Sequence, residues 1–306
     1  MSEPSLEVFH RRTVGNRVLT WFAATRPAFL TASVLPVVAA LALSTHLVPR
    51  LNPVLAILTL IAIILIHSAA NVLNDYFDAV SGTDADNQAR VYPFTGGSRF
   101  IQNAVLDPGE TRSFGFALTF AGAVLGLLVG ALSGPALLAI GLLGGLLAIF
   151  YSAPPCLSCR GLGDVAILVS FGVLPVIGTV YIQTGAFPPQ AWWMGASVGC
   201  FVAAILWANS IPDITADRKA GKWTLPARLG AARARFGLPI IFGLGFLLLI
   251  LAPLPTWSRL ALLAMVPAGL AVTRLFQGRV AQALPLTIMT HVAFSVLLTL
   301  GLVLAR

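Results

Sequence analysis

The chain has 306 residues, of which 58% are hydrophobic and only 10% charged, and it carries a net charge of +8. An ordinary soluble domain has about 25% charged residues, so this composition excludes a soluble globular enzyme and points to a polytopic helical membrane protein. The positive excess follows the layout of the membrane segments rather than forming a basic face, and no nucleic-acid partner is expected.

Residues 1–25 are mixed and polar, with Glu3, Glu7, Arg11, Arg12 and Arg17. They lack the apolar core and cleavage site of a signal peptide, so a cytoplasmic N-terminal segment and a retained first span are expected. Nine apolar segments follow, at 26–47, 52–74, 114–132, 135–151, 163–184, 190–209, 236–252, 257–275 and 284–304. Several are shorter than the ~20 residues of an ideal span, which places some polar flanks inside the membrane. With the N-terminus inside, only Arg50, Arg259 and Arg306 of the 19 Lys and Arg fall outside. That asymmetry predicts a cytoplasmic N-terminus and an external C-terminus in a bacterial-type inner membrane.

The second span closes on Asn71-Val-Leu-Asn74-Asp75-Tyr-Phe-Asp78, followed by Gly82 and Asp84. On a helix, Asn71, Asn74, Asp75 and Asp78 fall within an arc of roughly 100°. Gly82 is expected to end that helix and let Asp84 fold back. The next loop holds Thr95-Gly96-Gly97-Ser98-Arg99, whose glycines let backbone amides approach an oxyanion. Asp107-Pro108-Gly109-Glu110 reads as a capped helix start.

The fourth span ends at Tyr151-Ser152, where Tyr151 is either an interfacial anchor or a substrate-facing side chain. Cys156 and Cys159 form a CxxC without two further metal ligands, so free thiols are expected rather than a zinc site. The sixth span ends on Asn209, Asp213 and Asp217, spaced i, i+4 and i+8 on one face. Ala70-Asn71-x-x-x-Asp75 and Ala208-Asn209-x-x-x-Asp213 echo one another, which suggests a duplicated helical unit. Among the histidines, His67 lies one turn before Asn71, and His291, midway along the last span, is expected to hydrogen-bond a neighbouring helix.

Of only 11 Asp and Glu, six lie in or beside these two stretches: Asp75, Asp78, Asp84, Asp86, Asp213 and Asp217. Carboxylates near a bilayer are costly and rarely accidental. Two facing clusters would form an oxygen-rich cage for a hard cation such as Mg²⁺. The surrounding Arg and Lys point to an anion, phosphate above all, resting on that cation. A secondary transporter would also combine a repeat with intramembrane acids, but its acids sit near the midplane rather than at the cytoplasmic helix ends.

These paired motifs resemble those of the UbiA superfamily of intramembrane prenyltransferases. The first is Asn74-Asp75-Tyr-Phe-Asp78 with Asp84, and the second is Asn209-x-x-x-Asp213-x-x-x-Asp217. Within that superfamily the chain looks most like the 1,4-dihydroxy-2-naphthoate polyprenyltransferases. Thr95 to Arg99, Tyr151-Ser152-x-Pro154-Pro155, Arg160-Gly-Leu-Gly-Asp164 and Asp217-Arg-x-x-Gly-Lys222 carry that likeness. It departs at Ser210-Ile211-Pro212, where that branch usually has an Arg, at Cys159, where Tyr is frequent, and at Asp164, where Glu is usual.

The resemblance implies an all-α bundle of nine transmembrane helices around a central apolar chamber. It also implies a single domain over 1–306, with cytoplasmic cap loops at 75–113 and 210–235. Asn74, Asp75, Asp78, Asp84, Asn209, Asp213 and Asp217 would hold Mg²⁺, with Asp75, Asp78, Asp213 and Asp217 as the catalytic set. Arg99, Arg160, Arg218 and Lys222 would bind diphosphate, and Asn71, Ser98, Tyr151 and Ser152 would meet substrate. The implied reaction moves a polyprenyl group from polyprenyl diphosphate to an aromatic acceptor in the bilayer, 1,4-dihydroxy-2-naphthoate for menaquinone. The same fold also serves 4-hydroxybenzoate, homogentisate and other quinone or lipid precursors.

Overall fold

A computed structural model of the protein describes residues 3–9, 13–82, 90–152 and 154–306, apart from the side chains of Ser81 and Ser152. The expected metal ligand Asp84 and its neighbour Asp86 lie outside the described residues. The described regular structure is entirely helical. Besides the short turns Ser158–Arg160, Leu225–Leu229 and Ala231–Ala234, it comprises α1 (Val14–Ala24), α2 (Pro27–Ser44), α3 (Pro53–Ser81), α4 (Pro108–Ser133), α5 (Pro135–Ser152), α6 (Gly163–Thr184), α7 (Pro189–Lys219), α8 (Gly237–Leu251), α9 (Thr256–Phe276) and α10 (Val280–Leu304).

Capping chemistry sets where the long helices begin. Asn52 accepts from the Leu55 N–H at 3.1 Å and Pro53 fills the first turn of α3. Asp107 Oδ1 accepts from Gly109 and Glu110 ahead of α4, as its sequence predicts. Proline costs nothing at a first helical position, where the missing N–H has no intrahelical partner. The end of α3 also falls as expected: Gly82 adopts φ 77° and caps it in the left-handed region.

Among the described residues, eight helices are long and apolar enough to cross a bilayer: α2, α3, α4, α6, α7, α9, α10, and α8 with its lead-in from Ala231. The ninth expected span, 135–151, does form a helix. Its apolar stretch, Pro135–Tyr151, is shorter than the 18-residue α2, and at 1.5 Å per residue both lie at the limit set by the ~30 Å hydrocarbon layer. Large side chains on α3 and α4 such as Ile57, Phe120 and Leu127 are exposed, as expected of surfaces that face lipid.

The centre of the bundle is α7, which is the most buried of these helices. Its Phe201 stacks on Phe294 of α10 at 3.9 Å between centroids and meets Phe246 of α8 edge-on at 5.0 Å. On the opposite side α7 meets a π-helical turn of α6, Leu168–Val173. There Gly172 lies against the backbone of Gly195 and Gly199, so closely that any Cβ would collide. Small residues let membrane helices approach in this way where no hydrophobic driving force acts between them. Helix α2 is tied from two sides. Ser33 Oγ and His67 Nδ1 of α3 are 2.7 Å apart, and His291 Nε2 lies 3.3 Å from the Thr31 carbonyl. His291 therefore does bond a neighbouring helix.

One expectation is corrected. Cys156 and Cys159 are not free thiols but a disulfide. The 3₁₀ turn Ser158–Arg160 folds the connection after α5 so tightly that the two Cα atoms stand 5.3 Å apart, within bridging range. The spacing alone argued against zinc but could not report that turn. Cys200 remains free and buried in α7.

The Gly172 contact gives a direct test of the packing. Gly172→Val should destabilise the detergent-solubilised protein by about 1–3 kcal/mol, the usual effect of overpacking, read as a lowered Tm. Gly126→Ala, where an added Cβ meets nothing within 4 Å, should leave Tm unchanged or slightly raised.

Candidate active site

Helix α3 continues as a regular helix through the first motif. Asn71 points its amide at the junction between α1 and α2, donating from Nδ2 to the Thr25 carbonyl at 2.8 Å. One turn later Asn74 Nδ2 donates to Asp78 Oδ2. Asp75 is buried at 5% exposure. Its Oδ1 accepts the Ser98 N–H at 3.0 Å, and the Ser98 hydroxyl bonds the same carboxylate. A buried carboxylate needs such donors.

The loop that supplies Ser98 is wound tightly. Gly96, Gly97 and Arg99 have φ of 76°, 73° and 66°. Glycine adopts this region freely, whereas for Arg99 it costs about 1–2 kcal/mol. Gly96 is also required sterically, because the Arg90 side chain lies across it where a Cβ would come within 2.8 Å.

On α7, Asn209, Asp213 and Asp217 line up along one face. Pro212 sits inside the helix between them and removes the N–H that would bond the Ala208 carbonyl. Asn209 Oδ1 is buried and has no hydrogen-bond partner. Asp217 Oδ2 accepts from Thr224 Oγ1 at 3.3 Å, and its carbonyl accepts the Lys222 N–H at 2.8 Å. The Lys222 ammonium attracts both Asp78 and Asp217, and Asp78 and Asp217 repel one another. The two motifs, more than a hundred residues apart in sequence, therefore lie within electrostatic reach of each other and of Lys222.

The other expected residues divide. Tyr151 ends α5 within reach of the charges of Asp78, Asp164 and Asp217. It lines a cavity of about 20 Å³ with Ser158, Asp164, Ser210 and Thr224, roughly room for one water. Ser152 closes the same helix. Arg160 is exposed on the 3₁₀ turn. Arg218 turns its Nε to the Ala227 carbonyl at 2.7 Å and braces the loop after α7. Arg99 lies 3.8 Å from Glu3.

Sequence reasoning missed Arg26, counted only as a topology marker. It sits between α1 and α2 at φ 56°, with Nη2 donating to the Pro93 carbonyl at 3.3 Å and its guanidinium 4.6 Å over Phe29. Its charge acts on Asp75, Asp78, His67 and Tyr92. The placement of Arg directly before Pro27 at a helix start was the available signal. Glu3 was also missed. Burial works against its ionisation, but hydrogen bonds from Arg90 and Asn103 and the charges of Arg90 and Arg99 outweigh it and hold the carboxyl below its usual range.

Among the described residues, no three His, Cys, Asp or Glu side chains converge closely enough to hold a metal by themselves. The donor set nevertheless suits a hard cation. It consists of oxygens, it includes the orphaned Asn209 Oδ1, and its Asp78 and Asp217 repel each other until a positive charge intervenes.

A bundle with eight helices long and apolar enough to cross a bilayer, two of them ending in acidic motifs, defines an integral membrane protein. The profile of the UbiA prenyltransferase family matches residues 33–287, and the chain belongs to that family. It is 31% identical over 257 residues to the 1,4-dihydroxy-2-naphthoate octaprenyltransferase of Mycobacterium tuberculosis, covering 80% of this chain and 82% of that protein. The apo UbiA homolog of Aeropyrum pernix K1 superposes with a TM-score of 0.69 at 19% identity, covering 91% of this chain and 98% of that one. The Archaeoglobus fulgidus homolog bound to DMAPP and Mg²⁺ gives 0.58 at 15% identity, with 91% and 98% covered. The chain is thus a prenyltransferase rather than a transporter.

Arg26→Gln should lower kcat/KM for prenyl transfer by about 10- to 100-fold, the equivalent of losing one or two charge-assisted hydrogen bonds. Arg218→Gln, which removes a brace to backbone, should act mainly on Tm. Steady-state kinetics and melting of the two variants, side by side, separate these roles; equal kinetic losses in both would contradict the placement of Arg26.

Proposed function

We propose that this chain transfers a polyprenyl group from polyprenyl diphosphate to 1,4-dihydroxy-2-naphthoate, on the cytoplasmic side of a bacterial-type membrane, with its C-terminus external. The observation that carries the reading is that Asp78 of the first motif and Asp217 of the second lie within electrostatic reach of each other and of Lys222. Names of relatives at about 31% identity support the acceptor, and the DMAPP and Mg²⁺ in a structural relative support the donor and the metal.

Asn74, Asp75 and Asp78 on α3, and Asn209, Asp213 and Asp217 on α7, would hold Mg²⁺, with Asp84 as a further ligand. The ion would supply positive charge for the leaving diphosphate. Ser98 fixes the Asp75 carboxylate from above. Lys222, Arg99 and Arg26 add cationic charge where negative charge builds as the bond breaks. The allylic C–O bond cleaves and its electron pair leaves with the diphosphate. The allylic carbocation then alkylates an electron-rich ring carbon. That carbon releases its proton, the ring carboxylate leaves as CO₂, and the vacated carbon takes up a proton. The isoprenoid tail would extend from the polar end into the apolar bundle, whose walls keep water from the cation. Arg26 also offers the guanidinium that this chain lacks at Pro212, a partner for the acceptor carboxylate.

Purified protein in detergent, given geranylgeranyl diphosphate, 1,4-dihydroxy-2-naphthoate and Mg²⁺, should release diphosphate and form the prenylated, decarboxylated naphthalenediol. Excess EDTA should cut turnover at least about 100-fold, since without the metal the clustered carboxylates oppose a diphosphate. Prenylation of 4-hydroxybenzoate or homogentisate in preference to the bicyclic acid would overturn the acceptor assignment. Near-normal turnover in EDTA would overturn the metal.

A further inference from the structure

Residues 3–9 lie folded against the loop that carries Ser98 and Arg99, and Glu3 is their ionic point of attachment. Its Oε1 accepts from Arg90 Nε at 3.0 Å and lies 3.0 Å from Arg90 Nη2. Its Oε2 lies 3.8 Å from Arg99 Nε and accepts from Asn103 Nδ2 at 3.3 Å. Asn103 Nδ2 also donates to the Pro4 carbonyl at 2.8 Å. Phe9 then packs edge-on against Phe100 at 5.0 Å, beside the buried Ala24, Val105 and Leu106.

The loop needs an external hold. Three of the four residues from Gly96 to Arg99 are left-handed, Arg99 among them. A non-glycine residue stays in that region only when its surroundings fix it. Arg90 covers the start of the turn, its stem across Gly96, and Arg99 ends it. One carboxylate joins the two guanidiniums and offsets their mutual repulsion. The Ser98 N–H that reaches Asp75 lies between these two anchor points.

We infer that Glu3 is a positioning residue for the diphosphate end of the substrate: by bridging Arg90 and Arg99 it holds the Gly96–Arg99 turn in the shape that keeps Ser98 on Asp75 and Arg99 at the cap. This rests on the proposed role of Arg99 as a diphosphate contact. The N-terminal strap is then a working part of the cap, not a tether, and its contribution is read in donor affinity.

The test uses the full chain in detergent, with geranyl diphosphate and Mg²⁺ as the probe and no acceptor, followed by steady-state kinetics. Glu3→Gln should raise Kd and KM for geranyl diphosphate about fivefold, the upper range of a half-exposed ion pair, with kcat changed less than KM. Glu3→Asp should recover part of the loss. In an Arg99→Ala background, Glu3→Gln should add no further change. Melting curves confirm that each variant is folded. Unchanged affinity in Glu3→Gln overturns the inference, as does a lowered Kd, which would make Glu3 a competitor of the diphosphate. Full additivity with Arg99→Ala also overturns it. Should the unaltered protein bind no geranyl diphosphate, the donor reading itself falls, and this inference with it.

Discussion

Carboxylates gathered at one end of an apolar bundle repel one another, and the rest of the structure answers that constraint. Two unit charges 4 Å apart at an effective dielectric near 20 interact by about 4 kcal/mol, enough to matter in a marginally stable fold. The protein gives three of these carboxylates a fixed donor: Ser98 for Asp75, Asn74 for Asp78 and Thr224 for Asp217. The Lys222 ammonium attracts Asp78 and Asp217, and the Arg26 guanidinium acts on Asp75 and Asp78. Cations set beside clustered carboxylates make the electrostatic pattern expected where a cation and a polyanion bind together.

Holding such a site requires a rigid support on one side and a shaped cap on the other. Helix α7 supplies the first. Its middle is packed between α6, α8 and α10 through the Gly172 crossing and the Phe201 stack, and Asn209, Asp213 and Asp217 follow on the same continuous helix. The cap is held differently, by side chains that reach across sequence. Asn71 ties α3 to Thr25, Arg26 ties the same junction to Pro93, and Glu3 ties the N-terminal strap to Arg90 and Arg99. Of these links, Arg26 acts directly on the charge of Asp75.

The long helices and the motif faces were legible because both are periodic. Apolar runs of about 20 residues report spans, and polar residues at i, i+3, i+4 and i+7 report one helical face whatever surrounds it. Local chemistry was legible too: Asp107 and Gly82 fix helix ends through their own backbone geometry. What escaped depends on contacts that no local pattern encodes. Arg26 looked like any basic residue at a cytoplasmic end, and only the fold brings it to Asp75 and Asp78. Glu3 meets Arg90 across 87 positions. The disulfide needed the 3₁₀ turn that brings Cys156 to Cys159, and residues 135–151 lie so near the spanning limit that composition could not separate a short helix from a full crossing.

The central claim is that the motifs of α3 and α7 act as one site. A double-mutant cycle on the Mg²⁺-dependent affinity for geranyl diphosphate tests it most directly, with Asp78→Asn, Asp217→Asn and the pair. Residues that share one site couple by about 0.5–3 kcal/mol, while independent sites add to within about 0.5 kcal/mol. The account predicts that the double variant binds at least about 1 kcal/mol away from the sum of the single effects. Additive losses in a folded double variant would show that the two motifs serve separate ligands, and would contradict it.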